Sequence, residues 1–233
     1  MSPDEPTKLF LKDGTSFEGK SFGASTSVSG EVVFNTGMMG YVESLTDPSY
    51  AGQILVCTYP LIGNYGVPDA KFFESEKIQV AGLVVSEYSE LYSHQDAKQS
   101  LKEWLIKNNI PAITGVDTRA ITKKLREHGV MLGALGVKAP KNFVDPNLEN
   151  LVAKVSIKKP REYGNGKIRI IAIDCGMKEN IVRKLASSDI TLVRVPWDYD
   201  FTNEPYDALF ISNGPGDPQA CGATIAHIKK AME

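Results

Sequence analysis

Tyr206-Asp207-Ala208-Leu209-Phe210-Ile211-Ser212-Asn213-Gly214-Pro215-Gly216-Asp217-Pro218 joins an apolar run to a glycine-rich turn. Residues 208–211 form an unbroken apolar run, too short for a helix and bounded by polar residues, which predicts a strand buried on both faces. The run stops at two glycines separated by a proline. Glycine reaches backbone conformations closed to other residues and leaves its N–H uncovered, so such a turn can present main-chain donors to an anion or an oxyanion. Asp217 and Pro218 have the character of an N-cap and a first helical residue, and the pattern predicts a helix through Lys230. Strand, glycine turn and helix start, in that order, predict a ligand site at the carboxyl end of a sheet, where open α/β folds bind.

Working outward, the chain from residue 167 onward has a β-α-β rhythm. Strands are predicted at 168–173, 192–195 and 208–211 and a helix at 178–186, which implies a parallel sheet with right-handed crossovers. A dinucleotide site is excluded by glycine count. The first strand is followed by Gly176 alone, and Gly214-x-Gly216 lacks the third glycine of the fingerprint. Cys175 sits at a strand end near a helix start, where a thiolate can be stabilised. It has no glycine two residues before it and no nearby histidine, so it reads as structural, as does Cys221.

Composition changes at residues 158–166, where charge, proline and glycine replace apolar periodicity. This stretch reads as a linker between a domain at 1–157 and a second at 167–233. In the first domain, Asp13-Gly14 between apolar-polar runs is a hairpin signal, and the chain is expected to begin as a β-meander. Further strands are predicted at 31–35, 53–59, 78–85, 111–116 and 131–137. An amphipathic helix is predicted at 95–107 with Leu101, Trp104 and Leu105 on its core face, and a second through Glu127, headed by Asp117 and ended by Gly129. Cys57 lies within an apolar strand and reads as a buried thiol. The loop-like stretches 35–50 and 60–66 carry aromatics and aliphatics that a solvated loop does not need. They are either packed over the core or form a contact surface.

The whole composition is that of a folded, water-soluble chain. Of 233 residues, 42% are hydrophobic, and 26 basic residues against 28 acidic ones give a formal charge of −2. That balance offers no field for nucleic acid or anionic lipid. His94, His128 and His227 lie far apart without metal-ligand spacing. Three widely spaced cysteines argue against a disulfide framework and for a reducing compartment. No segment has the length of a membrane span, and the acidic, proline-containing N-terminus is not a targeting peptide, so a cytoplasmic location is expected. No cofactor or metal is expected.

Ser-Asn-Gly-Pro-Gly-Asp-Pro after an apolar strand resembles the triad-type class I glutamine amidotransferases, and in particular the small subunit of carbamoyl-phosphate synthetase. The stretches at 35–50 and 60–66 and the string Gly115-Val116-Asp117-Thr118-Arg119 resemble the same family, although Asp117 and Arg119 are explained as helix-start residues. The resemblance implies an α/β fold class: a β-rich α+β N-terminal domain followed by the first part of a parallel-sheet class I glutamine amidotransferase domain. It implies that L-glutamine is held by Ser49, Gly214 and Gly216, with the Gly214 N–H an oxyanion donor. It also implies a synthetase partner, as a large subunit or a fused domain, that consumes the released ammonia with ATP and bicarbonate. The pathway served would be pyrimidine or arginine biosynthesis.

The family's nucleophilic cysteine, histidine and acid have no counterparts in this chain, so none of its residues is expected to be catalytic and the chain alone is expected to lack glutaminase activity. Residues 167–233 alone would leave a sheet edge unpaired and an apolar face bare, which favours a fragment of a longer polypeptide over a remainder supplied by another chain. The alternative reading is a non-catalytic docking or regulatory module for the synthetase.

Overall fold

The computed structural model describes residues 5–186 and 189–233. The chain divides into two compact units, the first ending at Pro146 and the second running from Asn147 to Glu233.

The first unit is a closed seven-stranded barrel. Its strands are β1 (Pro6–Leu11), β2 (Ser16–Ser21), β3 (Val28–Asn35), β4 (Gln53–Ile62), β5 (Gly82–Tyr88), β6 (Ala112–Thr114) and β7 (Met131–Gly136). They are ordered β1-β2-β6-β5-β4-β3-β7, and β7 closes on β1. The expected meander holds only for the β1–β2 hairpin at Asp13-Gly14, where Gly14 takes φ +90°. From β3 to β6 the neighbours are parallel. Two of these crossovers carry an α-helix, α1 (Tyr41–Thr46) between β3 and β4 and α2 (Leu101–Lys107) between β5 and β6, and α3 (Thr118–His128) joins β6 to β7.

Period-2 alternation sets the layers. Ile54 and Val56 of β4 and Val84 of β5 face a cluster with Leu9, Leu11, Leu135 and the α3 residues Ile121 and Leu125. Leu55, Cys57, Leu83 and Val85 face the opposite cluster, with Leu45 of α1 and Leu101, Trp104 and Leu105 of α2. β4 and β5 are thus buried on both faces, as central parallel strands are.

Several boundaries differ from the expected ones. The strand predicted at 78–85 begins at Gly82, and the helix predicted at 95–107 begins at Leu101. There a capping box stops it: Ser100 Oγ accepts from the Glu103 N–H while the Glu103 carboxylate accepts from the Ser100 N–H. Asp117 does cap α3, its side chain accepting from the Ala120 N–H, and Gly129 ends it at φ +81°.

The second unit is a four-stranded sheet in the order β11-β9-β10-β8, made from β8 (Arg161–Tyr163), β9 (Ile168–Asp174), β10 (Ile190–Pro196) and β11 (Ala208–Ile211). β9, β10 and β11 are parallel, and β8 is antiparallel to β10. Residues 158–166, read as a linker, therefore contain an edge strand, and the division into units falls before them. The helices α4 (Leu151–Val155), α5 (Glu179–Leu185) and α6 (Gly222–Ala231) complete the unit. On one face Ile171 and Ile173 pack with Val152 of α4, Phe201, Cys221 and Ile228 of α6. On the other, Ala172 and Leu192 pack with Met177 and Val182 of α5.

Two expectations are corrected in this unit. β11 is not buried on both faces: it is an edge strand whose Ile211 is 47% exposed. The helix expected to run unbroken from Pro218 is in two pieces, a 3-10 turn at Pro218–Ala220 and then α6.

Candidate functional site

In the second unit the carboxyl ends of β9 and β11 lie side by side, joined by the parallel pair Ile173 and Ile211. After β11 the Ser212 N–H bonds the Ile173 carbonyl at 3.1 Å, so the ladder extends one residue into the turn. The Ser212 hydroxyl then accepts from the Cys175 N–H at 2.9 Å and donates to the Asn213 carbonyl at 2.8 Å. Gly214 and Gly216 follow, both exposed, and among the described residues neither of their N–H groups has a hydrogen-bond partner. Asp217 caps the next turn, its carboxylate accepting from the Gln219 N–H at 2.8 Å. The result is a turn with bare main-chain donors between a strand end and a helical start, the arrangement that suits an anionic or developing-oxyanion oxygen.

The two glycines are required for different reasons. A Cβ at Gly214 would stand 1.7 Å from the Cys175 carbonyl oxygen, so close approach of two backbones excludes every other residue. Gly216 instead has φ +76°, and the atoms nearest its Cβ would be Leu151 Cδ1 at 3.5 Å and Asn147 Oδ1 and Leu151 Cβ at 3.7 Å, which is ordinary contact. The constraint there is conformational, not spatial.

Beneath this turn lies a second one, residues 174–178. Asp174 is fully buried, and its carboxylate accepts from the Gly176 and Met177 N–H groups at 2.9 and 2.7 Å and from the Ile157 N–H at 3.0 Å. Its Oδ2 also accepts from Arg194 Nε at 2.9 Å and makes an ion-pair contact with Nη2 at 2.8 Å. Arg194 projects from the middle of β10, reaches Glu179 Oε1 at 2.5 Å and donates to the Met177 carbonyl at 3.3 Å. Burial opposes the guanidinium charge, but the Asp174 and Glu179 carboxylates outweigh it and raise its pKa above the usual arginine value.

Cys175 is buried, and its thiol is pushed up to about 11 by burial, with Cys221 and Asp174 adding to the shift. Cys221 is raised by burial as well, and Cys57 in the first unit to about 12 for the same reason. A thiol so shifted is neutral at physiological pH and is not a nucleophile, in keeping with the structural reading of all three.

Ser49 belongs to the first unit. It lies in the 3-10 turn Pro48–Tyr50, which Asp47 caps by accepting from the Ser49 N–H at 2.9 Å, and it is half-buried. The stretch that carries it is packed and not a bare loop: Tyr41, Val42 and Leu45 of α1 join the core. The Tyr65 hydroxyl accepts from the Gly40 and Tyr41 N–H groups at 2.9 Å each, and the two tyrosine rings stack at 4.1 Å. Met38 and Met39 of the same stretch are instead 70% and 81% exposed. Asp174 and Arg194 were not singled out from sequence, and Gly176 and Ser212 were named only as parts of their motifs. The available signal was Arg194, a lone cation inside the apolar run Leu192-Val193-Arg194-Val195.

Among the described residues no helix is long and apolar enough to cross a membrane. Residues 9–135 match the family described as carbamoyl-phosphate synthase small chain, CPSase domain, and residues 171–233 match glutamine amidotransferase class-I. Multifunctional protein CAD of Squalus acanthias is 52% identical over 96% of this chain and 11% of its own length. Multifunctional protein URA2 of Saccharomyces cerevisiae is 47% identical over 99% of this chain and 12% of its own length. Carbamoyl-phosphate synthase (ammonia), mitochondrial, of Aquarana catesbeiana is 46% identical over 98% of this chain and 16% of its own length. The chain thus spans between 11% and 16% of the length of these curated relatives. An aminopeptidase from Aneurinibacillus sp. strain AM-1 covers 84% of this chain and 49% of its own at a TM-score of 0.35 and 14% identity, which carries no argument. The first family match alone takes in more than half of the 233 residues, and on it the chain belongs to the carbamoyl-phosphate synthase small-chain family, with a class-I glutamine amidotransferase segment at residues 171–233.

Proposed function

We propose that this chain is the leading part of a glutamine-hydrolysing region that supplies ammonia to a carbamoyl-phosphate synthetase. The observation that carries the reading is the turn at Gly214 and Gly216, whose N–H groups have no hydrogen-bond partner among the described residues and stand at the carboxyl ends of parallel strands. In this reading a cysteine thiolate from the following segment of the full-length polypeptide attacks the glutamine side-chain amide carbon. Its carbonyl oxygen takes the negative charge against the Gly214 N–H, a histidine of the same following segment protonates the nitrogen so that ammonia leaves, and water that gives a proton back to that histidine then hydrolyses the γ-glutamyl thioester to glutamate and the free cysteine. Gly216 contributes to holding the rest of the glutamine. The ammonia passes to a fused or separate synthetase that uses ATP and bicarbonate, in the cytoplasm.

The 233-residue chain supplies donors and no nucleophile, so purified alone it should release no glutamate from glutamine, and the full-length polypeptide should. Glutamate release by the chain alone would refute the division of labour, and its absence from the full-length polypeptide would refute the reading.

A second reading has its own support. A relative named for ammonia matches 98% of this chain about as well as the multifunctional relatives do. The same fold is therefore compatible with a docking or regulatory module in which glutamine is not turned over. A full-length polypeptide that makes carbamoyl phosphate from ammonia and not from glutamine would select this reading.

A further inference from the structure

We infer that Asp174 and Arg194 are positioning residues for the glutamine-binding turn, an assignment that rests on the reading of Gly214 and Gly216 given above. Neither side chain faces the turn directly. They act through the backbone of residues 174–177, which is the floor on which residues 212–216 lie.

The contacts form a continuous chain. Arg194 gives one hydrogen bond and one ion-pair contact to the same oxygen of Asp174, which also accepts from the Ile157 N–H, while the other oxygen accepts from Gly176 and Met177. All the acceptor capacity of the carboxylate is therefore directed at main-chain and guanidinium donors at defined points. The backbone so fixed meets the glycine turn at three places. The Cys175 N–H donates to Ser212 Oγ, and the Cys175 carbonyl lies where a Gly214 Cβ would be. A Cβ on Gly176, which holds φ +120°, would come within 2.9 Å of Pro215 Cδ and 3.1 Å of the Gly214 Cα.

A buried ion pair is a costly way to hold two strands together. Apolar side chains of similar volume often give equal or greater stability. What the two groups supply is direction, because one carboxylate oxygen accepts from the Gly176 and Met177 N–H groups and the guanidinium donates to the Met177 carbonyl of the same turn. A shift of that turn moves the Cys175 carbonyl and the Gly176 backbone, and Gly214 has no free space in which to stay behind. Placement of a donor against the developing oxyanion and the bound glutamine depends on such distances to within about 1 Å.

The test uses the full-length polypeptide, with glutamine-dependent and ammonia-dependent carbamoyl phosphate formation measured side by side. Asp174→Asn should raise KM for glutamine, and lower kcat/KM, by about tenfold or more, the scale of one misdirected hydrogen bond. Ammonia-dependent synthesis should stay within about twofold. Arg194→Lys keeps the charge without the fork and should fall between wild type and Asp174→Asn. Glu179→Gln, which alters only the outer contact of Arg194, should leave KM within about twofold. Should Asp174→Asn fail to fold, the ranking of Arg194→Lys against Glu179→Gln decides the matter. Equal glutamine KM in wild type, Arg194→Lys and any folded Asp174→Asn would overturn the inference while leaving the proposed function standing. Absence of glutamine-dependent activity from the wild type would remove that function and the inference with it.

Discussion

The first unit closes its sheet on itself, whereas the second ends in edge strands on both sides, β8 and β11. In the barrel every strand has two partners, and β4 and β5 have core on both faces. In the second unit, Ile211 on β11 is 47% exposed and Ile225 on α6 is 37% exposed. The difference separates two kinds of constraint. The barrel is held by apolar burial spread over many side chains, and the open sheet is held at its carboxyl end by a few directed polar contacts centred on Asp174. A core deletion should therefore dominate in the first unit and a backbone intrusion in the second. The two tryptophans report on them separately, since Trp104 lies in the first unit and Trp197 in the second.

Leu55→Ala should have the largest effect. Leu55 is fully buried between β4 and the helices over it, and removing it should cost about 2–5 kcal/mol. Urea unfolding followed by Trp104, with Trp197 replaced by Phe, should show that shift. The transition followed by Trp197, with Trp104 replaced by Phe, should stay in place. Coincident shifts in both would erase the distinction between the units.

Gly214→Ala should act in the reverse sense. With 1.7 Å between the new Cβ and the Cys175 oxygen the turn has to move, at a cost of about 1–3 kcal/mol, the range for overpacking. The change should appear in the Trp197 transition only. Gly222→Ala has nothing within 4 Å of the new Cβ and serves as the control, with a change below about 1 kcal/mol.

Ile211→Lys sharpens the comparison without touching either core. It should alter stability by less than about 0.5 kcal/mol, as surface changes do, while a charge on an edge strand opposes edge-to-edge pairing. Sedimentation velocity should show less self-association of the 233-residue chain, and an unchanged distribution would mean that the β11 edge is not the sticky one.

Asp13→Asn should have the smallest effect, confined to the barrel. The hydrogen bond from Lys124, followed by that from the Thr15 N–H, lowers the Asp13 carboxyl to about 2. A pKa depressed by folding stabilises above the unfolded value near 4 and loses that contribution as pH falls toward 2. For a solvent-screened pair the contribution is at most about 1 kcal/mol. Wild type and variant should differ by no more than that at pH 7 and converge at pH 2, measured by urea unfolding at each pH.

Local chemistry was legible in the sequence wherever the deciding partners are neighbours in the chain. Asp13-Gly14 gave the hairpin, Asp117 the cap of α3, and the apolar run around Cys57 its burial. The start of α2 was legible too, since Ser100 and Glu103 have the spacing of a capping box, but the apolar face at Leu101, Trp104 and Leu105 does not by itself mark where a helix begins. The parallel order of β3 to β6 was not legible, because an alternating run specifies which faces are buried and not the direction of the next strand. Closure of β7 on β1 joins segments more than a hundred residues apart. The glycine turn was visible as a motif. Its support was not, because Asp174 and Arg194 lie 20 residues apart and meet only when β9 and β10 pair in parallel register.

In the proposed reading, Gly214 and Gly216 hold glutamine by main-chain N–H donors. It is tested most directly by Gly216→Val in the full-length polypeptide, with glutamine-dependent and ammonia-dependent carbamoyl phosphate formation compared. At φ +76° a β-branched residue cannot keep this backbone, so the strain falls on the turn itself and not on a neighbouring side chain. The account predicts that kcat/KM for glutamine drops by about a hundredfold or more, the scale of one lost oxyanion donor, while ammonia-dependent synthesis is unchanged. Glutamine turnover equal to that of the wild type would contradict it.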